Sequence, residues 1–309
     1  CRSFEHTCRR ALIFDVVGSR NLLQAVSLDH IGFSSGKILG PLLIGILLEV
    51  TGTAVSAYAF LTVLHLSSLG TIALVRPPAL GPMPPRRPVF RSITEGLKFA
   101  FSTPPIAAVL YASVVMNALF QFQLFIPVVA QEYLHVGPGL MGLLASADGI
   151  GTIIGAVLLS LLSNNIRRHG RIFIIGSMGV AIFLLWFAIS PWYWLSFLLL
   201  MCSGVSQVGF STMQSSILLM ASPTHVHSRV FGAQQLAVGT GQIGSLEIGA
   251  LAVTIGLPAA LASTAIGGLV LLAAILFLMP VLRGPITQYQ EPITKTRPDG
   301  GKIPSKEND

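Results

Sequence analysis

Residues 172–228 read IFIIGSMGVAIFLLWFAISPWYWLSFLLLMCSGVSQVGFSTMQSSILLMASPTHVHS, 57 residues without an Asp, Glu, Lys or Arg. A bilayer crossing takes about 20 apolar residues as a helix, so the stretch predicts two crossings. Ser190-Pro191-Trp192 is the natural turn between them, because proline ends a helix and tryptophan favours the membrane interface. The rest of the 309-residue chain has the same character. Charged residues make up 10% of it and the mean hydropathy is +0.75, against about 25% charged residues in a soluble domain. The fold class this implies is all-α integral membrane.

Working outward, eight spans are predicted, at 28–49, 54–75, 105–128, 140–163, 172–190, 192–218, 231–254 and 258–282. Apolar runs this long must be helices, since lipid offers the backbone no hydrogen bonds. A transmembrane barrel would show alternating segments of about ten residues, and none is present. The basic residues sort onto alternate connections. Arg2, Arg9, Arg10 and Arg20 precede the first span, and Arg76, Arg86, Arg87, Arg91 and Lys98 fall in 76–104. Arg167, Arg168 and Arg171 follow the fourth span, Arg229 follows the sixth, and Arg283, Lys295, Arg297, Lys302 and Lys306 lie in the tail. The connections near 50–53, 129–139, 191 and 255–257 have none. Basic loops resist translocation, so both ends of the chain are expected in the cytoplasm, which needs an even number of spans. The same placement accounts for the net charge of +7. The bases form no face interleaved with aromatics, so nucleic acid is not an expected partner.

The 76–104 connection begins Pro-rich, as a stiff linker. It then predicts a short helix, with Ser92 and Glu95 spaced as a capping box and an apolar face of Ile93, Leu97 and Phe101. That face can lie on the membrane surface or on helix ends. The tail from Arg283 is polar and predicted disordered. A weak internal repeat sets Ser19-Arg20 and Gly40 against Ser228-Arg229 and Gly249, six spans apart. The expected organisation is therefore 1–75 as the last two helices of an N-terminal six-helix half, 76–104 as a cytoplasmic linker, 105–282 as a C-terminal six-helix half, and 283–309 as a tail. The chain opens on Cys1 without an initiator Met, and four earlier helices are expected upstream. Parallel six-helix repeats are the plan of a large class of secondary transporters.

The motifs carry a resemblance. Residues 10–15 (RALIFD), 21–25 (NLLQA) and 36–45 (GKILGPLLIG) resemble the fourth-to-fifth-helix region of major facilitator superfamily exporters, in the branch of enterobactin-exporter-like and macrolide-efflux-like proteins. Residues 95–99 (EGLKF) are similar to the stretch before the seventh helix of that branch. Residues 164–171 (NNIRRHGR) resemble the superfamily's basic loop between helices eight and nine, and 228–232 (SRVFG) its loop between ten and eleven. By this match the chain holds eight of twelve transmembrane helices, five to twelve. There are departures. Only Gly45 follows the Gly40-Pro41 pair where the family has paired glycines, and Asn164 and Asn165 stand where an acid usually opens the basic loop. The resemblance implies ion-coupled efflux of a small drug-like or siderophore-like molecule by alternating access, as an antiporter of the plasma membrane.

Several residues are candidates for that work. Gly32, Gly36 and Gly40 form a small-residue stripe that lets helices approach. Pro41 should bend its helix, so the stripe is read as packing, as a bend shaping the contact between halves, or as both. Lys37 lies about 14 Å into a hydrocarbon core about 30 Å thick, where a cation is usually paired or faces a cavity. Asp148 is also near mid-depth. In the family plan the fifth and eighth helices meet between the halves, so Lys37 and Asp148 are expected to face each other. They would form an ion pair that breaks and reforms, or a static one; alternatively Lys37 has a partner upstream. Glu247 is read as a protonatable coupling group or as a hydrogen-bonded acid at a helix contact. Asn117, Gln121 and Gln123, set among Phe120 and Phe122, suit an amphipathic organic solute. So do Gln207 and Gln214 on one helix stripe; interhelical hydrogen bonding is the alternative for all five. Arg167, Arg168 and Arg171 are gating candidates through the basic loop.

No phosphate loop, metal-ligand motif or nucleophile elbow is present in the sequence, so no enzyme activity, cofactor or metal is expected. The expected partners are a small-molecule solute, protons and the lipid bilayer, with the chain acting as a monomer. A membrane sensor or assembly protein on a transporter fold is the alternative from another class, since fold does not decide function; an inactive fragment is a third.

Overall fold

The computed structural model describes Ala25, Leu28 and residues 32–74, 89–162, 169–223 and 226–284. Among these residues the structure is helical, without a strand. Eight segments are long and apolar enough to cross a membrane: Gly32–Thr51, Ala54–Leu74, Pro104–Tyr133, Pro138–Leu162, His169–Ala188, Tyr193–Met220, His227–Ile255 and Leu257–Leu278. They coincide with the eight expected spans to within a few residues, the third running five residues further. The helices are α1 (Gly32–Thr51), α2 (Ala54–Leu74), α3 (Val89–Ser102), α4 (Pro104–Leu119), α5 (Ile126–Val128), α6 (Pro138–Leu162), α7 (His169–Ala188), α8 (Tyr193–Met220), α9 (His227–Gly239), α10 (Gly241–Ile255) and α11 (Leu257–Leu278). The tight α1–α2 and α10–α11 turns use Gly52 (φ +65°) and Gly256 (φ +82°), in the left-handed region only glycine enters freely.

Helices α4 to α11 form one bundle. α8 packs along both α6 and α7, α11 lies against α7 and α10, and α4 runs beside α9, α10 and α11. The core is filled by Ile106, Leu144, Phe173, Phe187, Leu200 and Ile217, each less than 2% exposed. Lipid supplies no hydrophobic drive between such helices, so close approach of small residues does much of the work. Gly151 abuts the Met201 carbonyl, Gly204 the Asp148 carbonyl, Gly176 the Phe210 amide and Gly244 the Ala118 carbonyl. A β-carbon at any of these would collide with backbone.

α1 joins this bundle through α6. Gly45 and Gly142 sit backbone to backbone, and Ser146 Oγ donates to the Ile38 carbonyl (2.7 Å) as well as to Gly142 on its own helix (2.9 Å). At the far end the Glu49 carboxylate accepts from the Gly139 amide (3.0 Å) in the first turn of α6, where the helix dipole favours an anion. The expected stripe of Gly32, Gly36 and Gly40 does not make this contact; nothing among the described residues lies within 4 Å of a β-carbon at any of the three. The helical turn is the reason. At about 100° per residue, that stripe lies roughly opposite the Lys37, Pro41 and Gly45 face that meets α6. α2 is exposed along almost its whole length, with only Ala57 buried.

α3 is the expected short helix, lying against α9 with Gly96 on Arg229. Its bundle-facing side carries Gly96 and Ala100, both buried; Leu97 is half-buried and Phe101 is exposed, its ring 5.5 Å from Tyr111. Ile93 and the Ser92–Glu95 cap lie outside the described side chains, as the tail from 285 lies outside the described residues.

Candidate functional site

The third span is broken at mid-length. α4 stops at Leu119, Phe120 and Gln121 leave helical geometry (ψ 41° and 44°), and a 3₁₀ turn at 122–125 leads into α5. Pro127 removes a backbone donor, and a wide turn at Val129–Tyr133 follows, closed by Leu134 N–H to Val129 O (3.0 Å). In a membrane such a break is tolerated only where protein or a water-filled cavity satisfies the freed backbone. A cavity is there. A pocket of about 140 Å³ lies against the break, walled by Asn117, Phe120, Gln121 and Gln123 from the broken span and by Lys37 of α1. Asp148 of α6, Val180 of α7, and Ser203, Gln207 and Phe210 of α8 close it.

Lys37 Nζ and Asp148 Oδ2 form an ion pair across the α1–α6 contact. The same carboxylate oxygen accepts from Gln123 Nε2 (2.9 Å). The pair is lopsided: the Asp148 side chain is 5% exposed and that of Lys37 30%. Asp148 is fixed in place because Gly204 lets α8 rest directly on its carbonyl and Thr152 Oγ1 donates to that carbonyl (2.8 Å). A buried carboxylate with one cation and one amide donor is a satisfied anion. The partly exposed Lys37 side chain, which lines the pocket, is the more accessible side of the pair.

The amide candidates divide. Asn117 Nδ2 donates to Ser113 O (2.8 Å) and Gln121 Nε2 to Asn117 O (2.9 Å), each back along its own chain, while both side chains line the pocket. Gln207 also lines it, half-buried and without a hydrogen bond among the described residues. Gln214 is not brought there. Buried, it donates to Ser113 Oγ and ties α8 to α4, the interhelical role. Glu247 is exposed on α10 and makes no hydrogen bond or ion pair among the described residues, so it sits neither in the pocket nor in a helix contact seen here. Gly36 and Gly40 stand apart from the pocket; Pro41 lies on the α6 face, its carbonyl against Gly142. Arg171 is exposed at the start of α7, about 14 Å along the axis from Val180. Arg167 and Arg168 lie outside the described residues.

Two features of the pocket were not anticipated: the helix break itself and Ser203. Phe120 and Gln121 have no proline or glycine beside them, and Ser203 is one of many serines in apolar helices, so neither carries a local signal.

Membrane-length helices in one bundle, with a polar pocket at a broken span and a charge pair joining two groups of helices, define a membrane transporter of the major facilitator type. The crystal structure of a bacterial homologue of the human lysosomal transporter Spinster, inward-facing and unoccupied, has this fold. It aligns with a TM-score of 0.62 over 89% of this chain and 74% of that one, at 12% identity. The chain belongs to the transmembrane secretion effector family, whose model matches residues 3–297. It is similar to the enterobactin exporter EntS of Citrobacter koseri, 27% identical over 295 residues, covering 93% of this chain and 67% of that protein. It is also similar to EntS of Escherichia coli O1:K1, 26% identical over 273 residues, covering 86% and 63%. The chain thus spans about two thirds of the length of these curated relatives. It is a multi-pass membrane protein of a transporter family.

Proposed function

We propose that this chain works in the ion-coupled export of a small, siderophore-like organic molecule. The observation that carries the reading is the pocket in which Lys37 of α1 meets Asp148 of α6 beside the amides of Asn117, Gln121, Gln123 and Gln207. It combines hydrogen-bonding groups with the rings of Phe120, Phe122 and Phe210, which suits an amphipathic solute. The solute class is supported by similarity to enterobactin exporters.

In this reading residues 1–75 and 105–282 belong to two halves joined by the 76–104 linker. The basic connections and both ends lie in the cytoplasm, and the membrane is the inner one. The halves rock about the pocket, exposing it alternately to each side. The Lys37–Asp148 pair breaks and reforms as α1 and α6 part and close. Protons drive the cycle in exchange for the solute. Protonation of Asp148 cancels its attraction for Lys37, so the proton acts at the joint between the halves.

The test is charge exchange. Export of enterobactin is measured in an exporter-deficient bacterial host carrying the full-length protein that contains the chain. Lys37→Asp and Asp148→Lys each lower export at least tenfold, and the double variant recovers a substantial part. A double variant no better than either single change sinks the switching role of the pair, and a wild-type chain that exports no siderophore or drug sinks the transport reading.

A further inference from the structure

We propose that the Ser203 hydroxyl is an unfilled hydrogen-bonding position in the pocket wall, kept for an oxygen-bearing group of the solute, a hydroxyl or a carbonyl. The proposal rests on the transport reading of the same pocket and extends it to a residue on the α8 wall.

Ser203 is 1% exposed and lines the pocket, yet its Oγ is the one buried side-chain polar atom among the described residues without a hydrogen-bond partner. Buried polar groups are nearly always bonded, and an exception calls for an explanation. The explanation cannot be a lack of opportunity. A serine in a helix can bond the carbonyl three or four residues earlier, and its neighbours do so. Ser206 bonds Cys202 O (3.0 Å), Ser113 bonds Val109 O (2.6 Å), Ser177 bonds Phe173 O (2.5 Å) and Ser222 bonds Leu218 O (2.6 Å). Ser203 has declined that bond and stands in the pocket wall, one helical turn before Gln207, whose amide is likewise without a partner among the described residues. The backbone under it cannot shift, because Gly204 is seated on the Asp148 carbonyl. A hydroxyl and an amide without partners among the described residues therefore stand on one rigid helix face, in the wall of the pocket that the partly exposed Lys37 side chain also lines. A hydroxyl both donates and accepts, so this wall takes a neutral oxygen while Lys37 takes an anionic one.

The experiment uses the full chain in membranes, with Cys1, Cys8 and Cys202 replaced by Ser or Ala, and N-ethylmaleimide as the probe. In Ser203→Cys the introduced thiol reacts at least tenfold faster than the one in Ser177→Cys, which is packed and bonded. Ser203→Ala melts at or above the wild-type temperature, since it removes a hydroxyl that has no bond, and raises KM for an exported siderophore about threefold to tenfold with little change in kcat. An unreactive thiol at 203, a Ser203→Ala variant that melts well below wild type, or an unchanged KM overturns the proposal. A chain that exports nothing refutes the transport reading instead. Ser203 is then decided by the thiol and the melt: slow reaction or a lowered melt shows a packed residue.

Discussion

Cutting the Lys37–Asp148 pair from its two sides has unequal consequences. Lys37→Met leaves a carboxylate that is 5% exposed and keeps only the Gln123 amide. Removing one partner of a buried pair costs about 3–5 kcal/mol, because the other charge is stranded. Asp148→Asn strands instead the ammonium of a side chain that is 30% exposed and lines the pocket, where water can reach it. Its loss lies between the exposed and the buried limits, about 1–2 kcal/mol. At about 2 °C per kcal/mol, the low end for a large domain, Lys37→Met lowers the melting temperature by about 6–10 °C and Asp148→Asn by about 2–4 °C. The double variant, with no charge left to strand, falls by less than Lys37→Met alone. Thermal unfolding of the three variants in detergent, followed by tryptophan fluorescence, reads all three shifts. Equal shifts from the two single changes, or a double shift equal to their sum, would refute the asymmetry drawn from the burial.

The glycine contacts predict a contrast. Gly142→Val drives a side chain into the backbone of α1 and abolishes folded yield, whereas Gly36→Ala, with open space at its β-carbon, melts at or above wild type because alanine favours a helix interior by about 1 kcal/mol; size-exclusion yield and melting temperature check both. Gln214→Ala, which cuts the tie to Ser113, lowers the melting temperature by about 2 °C for a bond of about 1 kcal/mol, while Gln207→Ala leaves it unchanged and lowers solute affinity; the reverse pattern would exchange their roles. A membrane-impermeant maleimide labels Glu132→Cys in intact cells and Arg87→Cys only after permeabilisation, and labelling of Arg87→Cys in intact cells would invert the topology. A disulfide joining Glu49→Cys to Gly139→Cys, placed where the carboxylate now meets the α6 amide, arrests export until it is reduced; undiminished export would show that this end never parts.

The spans were legible because hydropathy and charge placement act over tens of residues, and no tertiary detail can mask them. Lys37 and Asp148 were legible for a related reason: a charge at mid-depth is rare enough to be asked for a partner, and the family resemblance, which sets the fifth helix against the eighth, pointed to this one. What remained hidden depends on rotation about the helix axis or on a local choice of bond. Gly32, Gly36 and Gly40 have the spacing of a packing face, but the face used is that of Gly45, whose single small residue gives no pattern. Gln207 and Gln214 share a stripe, yet two turns of offset put the first in the pocket and the second on Ser113. Ser206 bonds Cys202 O while Ser203 Oγ bonds nothing among the described residues, a difference that no sequence pattern records.

The contact between α1 and α6 has one end. It runs from Glu49 on Gly139, through Gly45 on Gly142 and Ile38 on Ser146, to Lys37 on Asp148. The two middle contacts are neutral and prefer no state of charge, while the Glu49 carboxylate on the Gly139 amide closes the seam at the end away from the pocket. The last is an ion pair, and it sits where the close contact gives way to the pocket. That order matters physically. A charge pair in the middle of a sealed seam would be a static brace, since nothing could reach it to compete. At the margin, with 30% of Lys37 accessible, the pair is exposed to whatever enters the pocket, and an anionic group or a proton can change its strength before the rest of the seam is disturbed. In the proposed cycle the seam loses the Lys37–Asp148 pair first and its packed members afterwards, the order a solute-triggered parting of two helices requires.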